Sequence, residues 1–524
     1  MNDPAAATPL NSPNDIEGPS DELQIFSEVC KHARGTAVLA DVEALLGWDE
    51  QTMLPPAAAG YRGEQAAALA SIVHERWIDP AFGDKLARLA EGPLAEGDDP
   101  DAAATIRLLR YDRDCRTRMP SRLVEELAST GVEAQQAWVV ARRDSDWALL
   151  EPWLQRIFAL KREQAACRRP DLEPYDALLD EYEPGGRAAA IAETFSSLRE
   201  GLVSLLAQLR GGPRSPSDRP VRRRLPREVQ EALVREVAGR IGFDFDRGRL
   251  DTTAHPFCTT IGPDDCRITT RWDEDFFPTS FFGVLHEAGH GLYEQGLRQS
   301  WHGLPPGEAA SLGIHESQSR LWENLVGRSP AFWRWCLPLL RKASGGFADV
   351  SLEEMHEAML VVRPSMIRVE ADEVTYNLHV MLRFDLERAM VQGELPVADL
   401  PAAWNERCER DFGLRPSNAA EGVLQDIHWS AGLVGYFPTY TLGNLYAAQL
   451  MAAVQREQPG LEKAIAEGDF RSLLDWLRQR VHARGRLLES GPLVAAATGE
   501  APTADWLLES LALRYGPAHG VEPA

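Results

Sequence analysis

The stretch FFPTSFFGVLHEAGHGLYEQG, Phe276 to Gly296, organises the reading of everything around it. Pro278 suits the first turn of a helix, with Thr279 or Ser280 near its cap. In such a helix His286 and His290 stand four positions apart on one face, one turn above the other. Both imidazoles can then reach a single metal ion. Glu287 falls on the adjacent flank, where it can face a water molecule without being a ligand. The apolar run Phe281 to Leu285 predicts a buried helix rather than a surface helix carrying satisfied histidines. Gly283, Gly289 and Gly291 lower helix propensity, and they allow backbone or substrate to come close.

His-Glu-x-x-His is the spacing used by zinc peptidases. A catalytic zinc needs a third protein ligand and one open position. Glu294 is too far along the helix to be that ligand. It follows His286 by eight residues, about 12 Å at ~1.5 Å per residue, whereas a ligand atom lies about 2 Å from the ion. The third ligand must come from another helix. GEAASLGIHESQSRLWENLVGRSP, residues 307–330, is largely helical in pattern and offers His315, Glu316 and Glu323. Spacing leaves the three open.

Outward from this centre the chain reads as mainly α. Leu23 to Leu46, Gly63 to Arg76, Asp101 to Arg118 and Ser121 to Arg143 are Ala-, Leu-, Glu- and Arg-rich with helical periodicity. Pro330 and Pro338 predict at least two pieces between Leu325 and Leu340. Gly211 to Pro226, rich in Pro and Arg, reads as a solvated connection. Cys258-Thr-Thr-Ile and Cys266-Arg-Ile-Thr-Thr flank a Gly-Pro-Asp-Asp turn and predict a short β-hairpin.

Composition excludes several classes. At 524 residues the chain exceeds the size of a single ordinary core, so two lobes or one body with a covering subdomain are expected. A net charge of −24 disfavours nucleic acid and anionic membrane surfaces. The seven cysteines are scattered and odd in number, which argues against a disulfide framework and against a thiolate metal site. Residues 1–20 lack the basic start and apolar core of a signal peptide and read as a disordered tail. The most apolar long run, Ser430 to Val454, is too polar for a membrane span. The expectation is a soluble, cytoplasmic protein.

Five motifs then occur in order: Asp265-Cys266-Arg267-Ile268-Thr269, His286 to His290, His315-Glu316-Ser317-Gln318, Ile367-Arg368-Val369-Glu370-Ala371-Asp372, and Gly422-Val423-Leu424-Gln425-Asp426-Ile427-His428-Trp429. With the stretch EALLGWDEQTMLPPAAAGYRGEQ from Glu43, they make the chain resemble the carboxypeptidase Taq family of zinc metallocarboxypeptidases over nearly its whole length. The tail and the Arg/Pro loop fall outside the resemblance. The resemblance implies that Glu316 completes the zinc site with His286 and His290. It implies a large helical body with a deep central groove and an N-terminal helical lid, a homodimer, and unstructured peptides as substrates. Residues 21–524 would form one helical domain, with lid and support over about 21–225 and the catalytic part over about 226–524.

On this reading the zinc, for which cobalt or manganese can substitute, polarises the scissile carbonyl and activates water, and Glu287 takes the water's proton. An exopeptidase must also hold the chain end, and a carboxylate calls for a fixed guanidinium. Arg368, placed within a helical stretch Met366 to Leu386, is the first candidate and Arg267 the second. Each has the alternative of a structural ion pair. His428 can donate to the oxyanion or substrate, and Tyr436 can bond substrate or leaving group, although packing roles fit both equally. The predicted activity is release of single C-terminal residues with broad specificity. The competing readings are a zinc oligopeptidase or aminopeptidase and a non-catalytic helical interaction protein that keeps the metal for stability.

Overall fold

The computed structural model describes residues 20–522. The expected tail, residues 1–20, lies outside the described residues except for Ser20, which opens the first helix. Four helices come first: α1 (Ser20–Thr52), α2 (Ala59–Ile78), α3 (Pro80–Ala90) and α4 (Pro100–Thr117). Asp79 and Asp99 cap α3 and α4 through their side chains, each followed by proline at the first helical position. These helices bury a small core of their own, with Phe26, Val29, Phe82, Leu86, Ile106 and Leu109 at its centre. Trp301 and Leu304 complete it from far along the chain.

The body follows. Helices α5 (Ser121–Asp144), α6 (Glu151–Arg168), α7 (Pro174–Leu179), α8 (Ala188–Gly211) and α9 (Arg227–Ile241) share one continuous core with the C-terminal half. A three-stranded sheet of order β1-β3-β2 comes next: β1 (Gly248–Thr252), β2 (Cys258–Thr260) and β3 (Cys266–Thr270). The predicted hairpin is present, with Thr260 opposite Cys266 and Cys258 opposite Ile268. Strand β1 was not foreseen. It runs parallel to β3, Gly248 opposite Cys266, and its GRLDT sequence lacks the β-branched run that betrays the hairpin.

Behind the sheet lies α10 (Pro278–Gly296), then α11 (Leu312–Arg320), α12 (Pro330–Ala343), α13 (Leu352–Ala358), α14 (Glu373–Gln392), α15 (Leu400–Phe412) and α16 (Pro438–Glu457). Three expectations need correction. Neither Thr279 nor Ser280 caps α10; Ser280 is buried and its hydroxyl donates to Gln230 instead. Pro338 does not break its helix but sits inside α12, while the break falls before Pro330. The stretch Met366 to Leu386 is not one helix. Asp372 caps α14 by accepting from the Val374 and Thr375 N–H groups, and Arg368 lies before it on a single 3-10 turn.

The N-terminal helices rest on the sheet as a lid. Two guanidiniums from neighbouring strands meet the Trp48 ring of α1, Arg267 at 4.2 Å and Arg249 at 4.9 Å from the ring centre. Thr253 donates its hydroxyl to the Gln51 carbonyl, and Asp41 pairs with His302 at 2.9 Å. All seven cysteines are free thiols. No helix among the described residues is long and apolar enough to cross a membrane.

Candidate metal centre

Two close helix contacts bring the metal-binding groups together. At Gly289 a Cβ would sit 2.6 Å from the Gln318 carbonyl oxygen and the Ser319 Cα, so α11 lies directly against α10. At Gly443 of α16 a Cβ would sit 2.5 Å from Glu316 Cγ. Helix α11 is therefore held between two helices that offer it no side chain at the contact, and Glu316 is pressed toward His286 and His290.

The Nε2 atoms of His286 and His290 lie 3.6 and 3.4 Å from Glu316 Oε2. One donor atom from each residue falls within 4.8 Å of the others. Two imidazole nitrogens and a carboxylate oxygen in this arrangement suit a divalent ion with an open coordination position. The outer partners fit the same use. Glu323 accepts from His286 Nδ1 at 2.9 Å. His315 donates Nε2–H to Glu294 at 2.8 Å and, in that tautomer, accepts from His290 Nδ1 at 2.5 Å. Both ligand histidines are thus oriented from behind, with Nε2 free to face an ion. Of His315, Glu316 and Glu323, it is Glu316 that groups with the two Nε2 atoms, while the other two bond the histidines from behind.

Charge in this cluster follows from burial and neighbours. Burial and the adjacent His315 lower His290 to about 3, which leaves it a neutral imidazole. Burial would also lower His286, but Glu316 and Glu323 outweigh it and raise His286 to about 9. An arriving cation therefore displaces a proton there. Glu316 is held well below the usual carboxylate range; burial opposes this, and Arg320 and His286 overcome it. Arg320 donates Nε–H to Glu316 Oε1 at 2.7 Å, and Ser319 donates its hydroxyl to Oε2. Glu287 is 6% exposed and makes no hydrogen bond among the described residues. Burial pushes its carboxyl up to about 7, with Glu316 and Glu323 adding to the shift.

A second cluster continues from the first through Arg320, whose guanidinium lies 4.7 Å over the Tyr376 ring. Tyr376 in turn accepts from Arg368 Nη1 at 3.2 Å. Asp426 accepts from Arg368 Nε at 3.0 Å and from Arg383 Nε at 2.6 Å. Arg368 is buried against the rings of Tyr376, Phe437 and Tyr440. Two guanidiniums share one carboxylate, which leaves a net positive charge in a nearly closed space. His428 sits at its edge with Nε2 3.3 Å from the Tyr440 hydroxyl, and its Nδ1 is buried without a partner. Burial and the nearby arginines lower it to about 4, against the pull of Asp426. Tyr436 packs edge-on against Tyr182 and Tyr440.

Arg267 stands apart. Its Nε and Nη2 donors pair with Asp265 at 2.8 Å, and its face lies on Trp48 of the lid. Sequence reasoning missed Arg320, Tyr376, Arg383 and Tyr440. Tyr376 and Arg383, seven apart on α14, share a helix face, and that spacing was the available signal.

Comparison with known proteins is consistent along the chain. The sequence profile described as carboxypeptidase Taq (M32) metallopeptidase matches residues 28–515. Thermostable carboxypeptidase 1 of Thermus thermophilus is 45% identical over 504 residues, covering 94% of this chain and 99% of its own. Carboxypeptidase 1 of Bacillus subtilis is 34% identical over 479 residues, covering 91% and 95%. The crystal structure of an M32 carboxypeptidase from Deinococcus radiodurans superposes with a TM-score of 0.92 at 39% identity, over 95% of this chain and 100% of that one.

Proposed function

Because the chain belongs to the carboxypeptidase Taq (M32) metallopeptidase family, we propose that it releases single residues from the C-terminus of peptides, with His286, His290 and Glu316 holding zinc and Glu287 as the base. The observation that carries the reading is a half-buried His-His-Glu donor set beside a carboxylate that makes no hydrogen bond among the described residues, joined through Arg320 and Tyr376 to a positively charged cluster. When bound, a divalent ion supplies Lewis acidity that polarises the scissile carbonyl and acidifies water.

The protein's own groups do the rest. Glu287, raised toward neutrality by burial, accepts a proton from the attacking water and returns it to the leaving amine. Arg368 takes the substrate's terminal carboxylate. The surplus charge it shares with Arg383 over Asp426 supports this choice, whereas Arg267 is neutralised by an Asp265 of its own. His428 and Tyr436 border the same space and contact the last residue of the peptide. The same reading takes broad side-chain specificity and a homodimer in the cytoplasm.

The test is mass spectrometry of an N-terminally blocked, unstructured peptide after incubation with the zinc-loaded protein. A ladder shortening only from the C-terminus, abolished by a chelator, is expected. Glu287→Gln should lower the rate by ~10²–10⁴ while the bound metal is retained. Internal cuts would replace this reading with an oligopeptidase, and an intact peptide in every sample would leave only a metal-binding fold.

A further inference from the structure

Behind the segment that carries His428 and Tyr436 lies a carboxylate that belongs to none of the five motifs. Glu387 of α14 is 0% exposed. Its Oε2 accepts from Trp429 Nε1 at 2.6 Å, and its Oε1 accepts from the Gly435 N–H at 2.7 Å and the Tyr175 hydroxyl at 2.8 Å. Trp429 directly follows His428, and Gly435 directly precedes Tyr436. One side chain therefore holds both ends of the excursion between the two residues, through the Trp429 indole at one end and the Gly435 backbone at the other. Tyr175 ties the same point to α7. The Trp429 ring is enclosed by Phe158, Trp404 and Phe437, and Trp404 lies beneath the Arg383 guanidinium. Tyr376, Arg383 and Glu387 thus form one stripe of α14, facing in turn Arg368, Asp426 and the segment that follows.

An ionisable group in this position is an expensive way to fill space, because burial disfavours its charge and pushes it up to about 7. An apolar side chain of similar size would pack without that penalty. What the carboxylate adds is direction: three donors from two separate stretches of chain converge on two oxygens, and few other arrangements satisfy them all.

We infer that Glu387 is a positioning residue for the hydrolysis, fixing His428 and Tyr436 in the pose that receives the last residue of the peptide. The inference rests on the reading of those two side chains given above. Its test is steady-state kinetics of the zinc-loaded, full-length enzyme on a blocked peptide, with metal content and melting temperature measured on every variant. Trp429→Phe removes one donor and keeps the ring. It should lower kcat/KM about tenfold, as loss of a hydrogen bond to a charged group does, with metal content unchanged. Glu387→Gln should lower it at least as far, and adding Trp429→Phe to that variant should cost nothing more. In a His428→Ala, Tyr436→Phe background the Trp429→Phe effect should vanish, because the side chains being positioned are gone.

An equal Trp429→Phe effect in both backgrounds would overturn the inference, as would a fall in melting temperature with kcat and KM unchanged. If His428→Ala with Tyr436→Phe leaves kcat and KM at the wild-type values, the reading of those side chains fails and the inference falls with it. Should Glu387→Gln not fold, Trp429→Phe in the two backgrounds still decides the matter.

Discussion

Asp426 is the single counter-charge for two guanidiniums, one of them fully buried. Asp426→Asn would leave Arg368 and Arg383 uncompensated, and a loss of about 3–5 kcal/mol is expected at neutral pH, the usual consequence of halving a buried pair. The pH dependence has a definite sign. Burial alone would raise this carboxyl, but Arg383 and Arg368 hold it below its ordinary value of 3.8. Its contribution is therefore complete above that value and is lost as pH falls through the depressed native one. Urea unfolding of wild type and variant should differ by a constant amount near neutrality and converge only in acid, well below pH 4. At this scale the sequence was informative where one helix sufficed, as with His286 and His290. It was silent about Arg383 and Glu387, because a buried charge on α14 declares itself only through partners some forty residues away. Glu316 could not be separated from His315 and Glu323 by spacing, since direction rather than distance along the chain distinguishes them.

The centre depends on how closely α11 can lie between α10 and α16. Gly289→Ala would place a methyl group 2.6 Å from backbone atoms of Gln318 and Ser319, which cannot swing aside as a side chain can. The helices must separate. A stability loss of about 1–3 kcal/mol is expected, and metal affinity should fall ~10–100-fold as Glu316 moves off its partners. Competition against a chelator of known affinity checks this; unchanged affinity would mean that α11 is not fixed by the contact. The chain then passes into a π turn, Leu321–Val326, closed by the Gly327 N–H donating to the Trp322 carbonyl at 2.9 Å. Such turns cluster at functional sites, and this one carries Glu323 to His286. Pro330 foretold an interruption after Leu325 without its kind. Pro338 misled for a definite reason: inside α12 a proline removes only one N–H bond, and the aromatic packing of Phe332 and Trp333 retains the helix around it.

The described residues form two cores, and polar and aromatic contacts join the lid to the body. The contact of Trp48 with Arg249 and Arg267 is the most specific of these. Trp48→Ala removes a ring that meets two cations, each such contact being worth ~0.5–2 kcal/mol. Amide exchange in α1 and α2 should accelerate by about tenfold while α10 and α14 stay protected, as read by hydrogen-exchange mass spectrometry. Equal exchange in wild type and variant would show that the ring does not secure the lid. The mainly α class and the hairpin were evident from residue pattern. Length alone led to the expectation of two lobes or a body with a covering subdomain, but not to the part played by Trp301 and Leu304, which sit among loop-forming residues far along the chain from the helices they complete. That placement also sets a clock. The ribosome releases the lid helices first, yet their core stays open until Leu304 has emerged. At ~5–20 residues per second the interval from Leu109 lasts ~10–40 s. Throughout it, Phe26, Phe82 and Ile106 lack the cover that Trp301 and Leu304 give them, so the first portion made must wait for the middle of the chain before it can finish folding.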